Sequence, residues 1–467
     1  MKALRPRLAC GPIAVLVACG GPDDAPACDG DACGTTCAGA DCTTGTTADV
    51  TADSSTAGSS GSSTTTATAP DTTAAESSST APECTTDDEC AAPTPHCSMG
   101  SCVACSATPD PDGACAALDP DAPLCEGDAC VQCREDDTTV CTGTVPVCDT
   151  ASNTCVGCTD HAQCPLSACH FDEGSCMPED RVWFVDGDAG NCGAATGAPA
   201  APYCTVGDAL AQIGQASRGT LRVFAASEPY TEAVTIDGTR VVAVLAADDG
   251  TPEFDATGAP TLTVDGATLF AWRLRWRSNA QDPAIVLDDA TAWIDRSEIV
   301  QNQGGGIDAA NGSLLHLRTS VVGAGGTGLA DRQALRVDGA TIDVVASSIA
   351  GNDSSMNASI RCLAGGGGSL RNSIVIGLDP PSISCLALDV ADSVVDTPGL
   401  DGDGNTVQGS FNAGWFVDAA GGDFHLVPGT LFEDAGVWLT GDPPVDLDGD
   451  ARPTRDGALD VVGADVP

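Results

Sequence analysis

The chain of 467 residues is short of positive charge: 19 Lys and Arg stand against 66 Asp and Glu, a net charge of −47. Lys2 is the only lysine. A protein that grips nucleic acid needs a basic face to neutralise phosphates, so this balance argues against a nucleic-acid partner. Long apolar runs are missing as well. The stretch from Leu8 to Ala18 is eleven residues interrupted by Gly11 and Pro12, too short to span a bilayer core of about 30 Å as a permanent helix. No sustained helical period and no Leu-x-x-Leu-x-Leu frame occurs, which excludes helical and leucine-rich repeats. The five histidines fall into no Ser/His/Asp order, and no paired-carboxylate motif stands out.

What is present is a 19-residue pattern, repeated from Thr261 to about Asp396. The copies are TLTVDGATLFAWRLRWRSN from Thr261, AIVLDDATAWIDRSEIVQN from Ala284, GIDAANGSLLHLRTSVVGA from Gly306, ALRVDGATIDVVASSIAGN from Ala334 and SIRCLAGGGGSLRNSIVIG from Ser359. The second position is Leu262, Ile285, Ile307, Leu335 and Ile360; the sixteenth is Trp276, Ile299, Val321, Ile349 and Ile374. Each copy is a pair of short apolar segments around a Gly or Asp turn, too small to bury its own inner face. Stacked copies can, which makes this a β-solenoid. The fourteenth position (Leu274, Ser297, Thr319, Ser347, Asn372) and the nineteenth (Asn279, Asn302, Asn352) read as polar ladders at tight turns. SIRC, ending at Cys362, recurs as SISC, ending at Cys385. Register sets these two cysteines one strand apart, within reach of a disulfide. Residues 181–467 resemble the right-handed parallel β-helix of the pectin-lyase-like superfamily, a likeness that implies a fold and not an activity.

The rest of the chain is organised around that solenoid. Lys2, Arg5 and Arg7 flank the short apolar run, and Leu16-Val17-Ala18-Cys19 resembles a bacterial lipobox. The resemblance implies that residues 1–19 are a signal peptide, cleaved before Cys19, whose thiol is acylated. The partner would then be membrane lipid, and the location the outer membrane of a Gram-negative-type bacterium, facing the surface. Residues 20–83 are mostly Thr, Ser, Ala, Gly and Asp and read as a tether. Residues 84–178 carry sixteen cysteines in four groups of four, joined by Cys102–Cys105, Cys130–Cys133 and Cys155–Cys158. Disulfides fit an exported chain; zinc is the alternative, and connectivity stays open. This segment resembles the cysteine-rich repeat arrays of bacterial surface proteins. In residues 179–467 a first strand (Arg181 onward), a loop closed by Cys192 and Cys204, and a short helix at Ala209–Ile213 lead into the solenoid, the helix covering its open end. DFHLVPGTLFEDAG (Asp423 onward) and DLDGDARPTRDGALDVVGA (Asp446 onward) resemble the closing module of choice-of-anchor Q β-helix proteins. There it caps the solenoid and precedes a sorting segment. The chain stops at Pro467, which fits an anchor at the other end, and it is read as a monomer.

Candidate chemistry lies at the thirteenth position: Arg273, Arg296, Arg318, Ala346, Arg371, with Arg275 beside it. If alternate residues point inward, these point out, in a stack of guanidinium groups. Their fork geometry matches the carboxylates of an acidic polysaccharide; the plain alternative is pairing with loop Asp and Glu. Trp293-Ile294-Asp295-Arg296 has a faint likeness to the WIDH tetrapeptide of pectate lyases, but Arg296 stands where that motif has His. Asp446, Asp448 and Asp450 alternate around a glycine, a pattern that suits Ca²⁺, with a plain acidic turn as the alternative. The expected protein is a lipid-anchored, non-catalytic surface β-helix that binds glycans or cell-surface partners. A polysaccharide lyase or glycoside hydrolase on the same fold is the alternative.

Overall fold

The computed structural model describes residues 83–467, apart from 91–93, 216, 257, 278, 280, 326–332 and 353–357. The expected signal peptide, Cys19 and nearly all of the expected tether lie outside the described residues. Within them the chain is all-β but for two short helices, and its main body is a parallel β-solenoid of seven coils.

Each coil contributes one strand to each of three parallel sheets. A seven-stranded sheet runs from Val234–Asp237 to Ile383–Ser384, a nine-stranded one from Val182–Val185 to Leu388–Ala391, and an eight-stranded one from Glu253–Phe254 to Thr406–Val407. The second repeat position stacks in register, Leu262, Ile285, Ile307, Leu335 and Ile360, and is buried in the central core. Alternation explains this: along each short strand one side chain enters the core and the next faces out. The short helix Val206–Leu210 buries Val206, Ala209 and Leu210 against the same core, and its Thr205 cap accepts the Asp208 N–H.

Beyond the second position the register departs from a fixed 19-residue count. Two residues join the first strand to the second in the coils at Thr261, Ala284 and Ala334. Three do so at Gly306 (Asn311, Gly312, Ser313) and at Ser359 (Ala364, Gly365, Gly366). Every later position in those two coils slips by one, and a one-residue slip moves a side chain to the opposite face. The core column is therefore Trp276, Ile299, Val322, Ile349 and Val375. Val321 and Ile374 face outward instead. The polar ladder likewise runs through Ser297, Ser320, Ser347, Ser373 and Ser393. Thr319 and Asn372 stand one residue earlier, at the left-handed corner. Each buried Oγ of this ladder accepts the backbone N–H of the coil before, at 3.1–3.2 Å. The corners thereby keep their backbone donors satisfied inside a dry core. An asparagine ladder serves the next corner: the Asn279 N–H meets Asn302 Oδ1 at 3.1 Å, and Asn352 Nδ2 donates to the Val322 carbonyl at 3.1 Å.

The cysteines pair throughout the described residues. In each group of four the first joins the third and the second joins the fourth, giving Cys84–Cys97 and Cys90–Cys102, Cys105–Cys125 and Cys115–Cys130, Cys133–Cys148 and Cys141–Cys155, Cys158–Cys169 and Cys164–Cys176. The thiolates that a zinc site would need are thus all in disulfides. Cys192 is bonded to Cys204, and Cys362 to Cys385 with Cα atoms 4.7 Å apart, the distance of adjacent strands.

Two elements clothe the outside of the solenoid. The last cysteine-rich repeat lays Ala168, Phe171 and Met177 over Phe270, Trp272 and Trp293 on the outer face of the nine-stranded sheet. Arg222 ties it down by donating to the Ser167 carbonyl at 2.8 Å. The closing module packs Phe416, Phe424, Leu426 and Phe432 on Val300, Val321, Ile374 and Val394, the outer face of the eight-stranded sheet. It covers a side of the solenoid; the expectation that it caps the end is corrected by this packing. Gly323 is required there, since a Cβ would stand 2.3 Å from the Phe424 ring.

Candidate functional site

The outer face of the nine-stranded sheet changes character along the solenoid. One outward column reads Phe270, Trp293, His316, Asp343, Ser369 and Asp389; the next reads Trp272, Asp295, Arg318, Val345, Arg371 and Ala391. The aromatic half lies under the last cysteine-rich repeat. The polar half floors an open cleft of about 370 Å³, whose side wall is Thr440, Gly441, Asp442 and Pro443 of the closing module.

Within the cleft the side chains hold one another in order. The Trp293 and His316 rings stack 3.6 Å apart, nearly parallel. His316 Nδ1 lies 3.3 Å from Asp343 Oδ2, and the Ser369 hydroxyl donates to Asp343 Oδ1 at 2.7 Å. The hydrogen bond from His316 keeps the Asp343 carboxyl below its usual range, against the effect of its burial. Arg371 grips Asp442 in a bidentate pair, one arm at 2.6 Å. That carboxylate also accepts the Leu439 N–H at 2.8 Å, so this arginine fastens the wall.

The predicted arginine stack is not one column. The extra residue in two coils places Arg318 and Arg371 at the last strand position. Arg273 and Arg296 stand one residue later, at left-handed corners with φ of 56° and 48°. Arg273 donates to the Asp249 carbonyl at 2.8 Å, and Arg296 to the Leu447 carbonyl at 3.1 Å while lying over Trp272. Arg275 sits on a different sheet, 3.5 Å from Glu298. Arg318 is the exception. Its guanidinium lies over Phe171 at 5.4 Å and Trp293 at 6.0 Å. Among the described residues no carboxylate is within ion-pair distance of it.

The acidic run behaves otherwise than a Ca²⁺ set would. Asp446 is fully buried, and its Oδ1 accepts the N–H groups of Asp448, Gly449 and Asp450 at 2.7–3.0 Å while Oδ2 accepts that of Val466 at 2.9 Å. The carboxylate is thus turned onto the backbone, with three N–H groups on Oδ1 and one on Oδ2. Asp448 pairs with His425 Nε2 at 2.9 Å, and Asp450 is exposed. The alternating carboxylates make a backbone clamp whose first member does the clamping. Asp295, the acid of the WIDR tetrapeptide, is buried beneath the last cysteine-rich repeat, accepts the Thr319 hydroxyl at 2.7 Å, and has its carboxyl pushed up by burial.

Residues 71–182, which include the cysteine-rich segment, match a family of unknown function (DUF8331). No curated protein matches the chain. Among solved structures, that of pectate lyase Pel9A is 11% identical, with a TM-score of 0.28 over 61% of this chain and 96% of that one. A rhamnogalacturonan lyase is 10% identical, with a TM-score of 0.27 over 46% of this chain and 68% of that one. Values this low carry no argument about what the cleft does.

His316, Asp343, Ser369, Asp389 and Asp442 are the site residues that sequence reasoning missed. Their signal was available in principle, since His316, Asp343 and Ser369 occupy one stacked position once the three-residue turns are allowed for. Asp442, far along the chain in a separate module, left no such trace.

Proposed function

We propose that this is a lipid-anchored cell-surface protein whose β-helix binds an acidic glycan in the cleft at Arg318 without cleaving it. The observation that carries the reading is a guanidinium that faces an open cleft and makes no ion pair among the described residues, the carboxyl opposite it in register, Asp295, being buried with its pKa pushed up. An unpaired planar fork beside a stacked aromatic pair suits a carboxylate- or sulfate-bearing sugar. The lipobox-like Leu16–Cys19, the tether composition and ten disulfides among the described residues support export and acylation at Cys19. The same reading takes the protein to be an outer-membrane lipoprotein displayed at the surface as a monomer. The closing module is read as the choice-of-anchor Q type, serving here as a side wall.

The second reading, a polysaccharide lyase or glycoside hydrolase, draws on Asp343 and Asp389 sharing the cleft with Arg318. A glycosidase acid must hold its proton near neutral pH, which calls for a raised pKa. Asp343 is shifted the opposite way. Asp295, which is shifted upward, is only 3% exposed and out of a substrate's reach. These directions count against a glycosidase acid in the cleft and not against a lyase base, so the lyase reading is decided by the reducing-end assay below.

The test combines retention and reducing-end release on a panel of acidic and neutral polysaccharides, with and without Ca²⁺. Retention of acidic polymers, weakened roughly ten- to 150-fold in Arg318→Ala by loss of a charge-assisted contact of about 1.5–3 kcal/mol, is expected. Release of reducing ends would move the protein to the enzyme reading. Labelled-palmitate incorporation lost in Cys19→Ser would establish the anchor.

A further inference from the structure

The cleft is bounded unequally along its length. Its floor crosses the strands Thr291–Asp295, Leu314–Arg318, Thr341–Val345, Gly367–Arg371 and Leu388–Ala391, so it runs along the solenoid axis for roughly 19 Å at ordinary strand spacing. At the first of these strands the last cysteine-rich repeat shuts it. Phe171 packs 5.0 Å from Trp293 and 5.7 Å from Phe270, over the face that holds the buried Trp272. At the other extreme lies Leu388–Ala391, the last strand of the sheet, where Asp389 is exposed. The cleft is thus closed at one end and open at the other.

Charge is graded in the same direction. Arg318 stands at the closed end, against Phe171 and Trp293. Arg371, further out, is neutralised by Asp442. Asp343 and Asp389 line the floor toward the mouth. An anionic group is welcome at the closed end only. A second one on a neighbouring ring would face carboxylates, and repulsion of that kind discriminates as effectively as attraction. The carboxylates and Ser369 remain good acceptors and donors for sugar hydroxyls.

Resting on the glycan reading above, we infer that the cleft receives the end of a glycan chain whose terminal sugar alone carries the negative charge, with neutral, hydroxyl-rich sugars trailing toward the mouth. The anionic group is a carboxylate or a sulfate ester; both match the guanidinium fork.

The test is calorimetric titration of the full-length protein with matched tetrasaccharides. The probes are neutral xylotetraose, aldotetraouronic acid with one glucuronate at its end, a sulfate-ended counterpart, and tetragalacturonate with a carboxylate on every ring. One of the two end-charged probes is expected to bind at least about tenfold tighter than the neutral one, a gap of about 1.4 kcal/mol, and which of them does so identifies the anion. Arg318→Gln, chosen to preserve side-chain bulk and checked for unchanged melting, should erase that gap. Binding to a long end-charged polymer should saturate at a stoichiometry set by chain ends. Tetragalacturonate binding as tightly as the end-charged probes, or polymer capacity that follows mass, would overturn end recognition and leave the broader glycan reading standing. No binding by any probe or by acidic polymers would overturn both.

Discussion

Arg452 shows how much the closing module depends on one charged side chain. It is fully buried, reaches Asp460 at 3.2 Å, and donates to the carbonyls of Val461 at 2.9 Å and Gly463 at 2.5 Å. Burial pushes the Asp460 carboxyl up despite the arginine beside it, the signature of an ion pair kept in a dry place. Removing one partner strands the other, which costs about 3–5 kcal/mol in such settings. Arg452→Ala should destabilise the protein by that amount in a denaturant titration, and Arg452→Met with Asp460→Leu should recover most of it. A double variant no better than the single one would mean that the carbonyl contacts matter more than the pair. At this scale the sequence was only partly legible. The D-x-D-G-D run was visible, but its role as a backbone clamp depends on Asp446 being buried with four N–H groups around it, which spacing alone does not encode. Arg318 was visible as an outward cation. That its side chain alone, of the five predicted arginines, makes no hydrogen bond or ion pair among the described residues depends on where the others find theirs, from 23 residues away for Arg275 to 151 for Arg296.

His161 reports on how the last cysteine-rich repeat is seated. It is 1% exposed, and its Nδ1 accepts the Cys169 N–H at 3.1 Å, so the ring proton is on Nε2. Burial, with the charges of Arg222 and Arg318 nearby, lowers its pKa to about 3. Above about pH 6.5 the imidazole is neutral in both folded and unfolded chains and contributes no slope. Below that the unfolded chain takes up a proton that the folded one refuses, so stability falls by about 1.4 kcal/mol per pH unit down to about pH 3. His161→Gln, which can still accept the Cys169 N–H, should show a stability profile shallower by that slope between pH 6.5 and 4.5. Parallel profiles would show that the repeat opens before the ring is protonated. Elements were the most legible level. A strand whose alternate residues are Leu, Ile or Val announces its inward face, and the second repeat position stacked as the pattern required. The same pattern could not reveal that Asn311-Gly312-Ser313 and Ala364-Gly365-Gly366 are one residue longer than their counterparts. Gly, Asn and Ser suit turns of either length.

For the whole molecule, the boundary between stalk and solenoid is the point at issue. Composition changes at Arg181, and residues 84–178 read as a segment of their own. Yet Phe270, fully buried, and Trp272, 8% exposed, have the last cysteine-rich repeat as their cover. Burying an aromatic or aliphatic side chain of this size stabilises by roughly 1.5–3 kcal/mol, and Phe270, Trp272 and Trp293 form one contiguous outward patch. An exposed patch of that kind on an otherwise acidic surface promotes association. The repeat that starts at Cys158 therefore belongs energetically to the solenoid, although composition groups it with the cysteine-rich repeats before it. A chain beginning at Cys158 should melt within a few degrees of the longer protein and stay monomeric. One beginning at Arg181 should melt lower, bind a hydrophobic dye and self-associate, as followed by light scattering. The cleft sharpens the contrast, because Phe171 packs on Trp293 and Arg318 at its inner end: under the end-recognition proposal, the shorter chain should also lose the preference for end-charged over uniformly charged tetrasaccharides. If the chain from Arg181 matched the longer one in melting and in that preference, the last repeat would be a passenger on the face it covers.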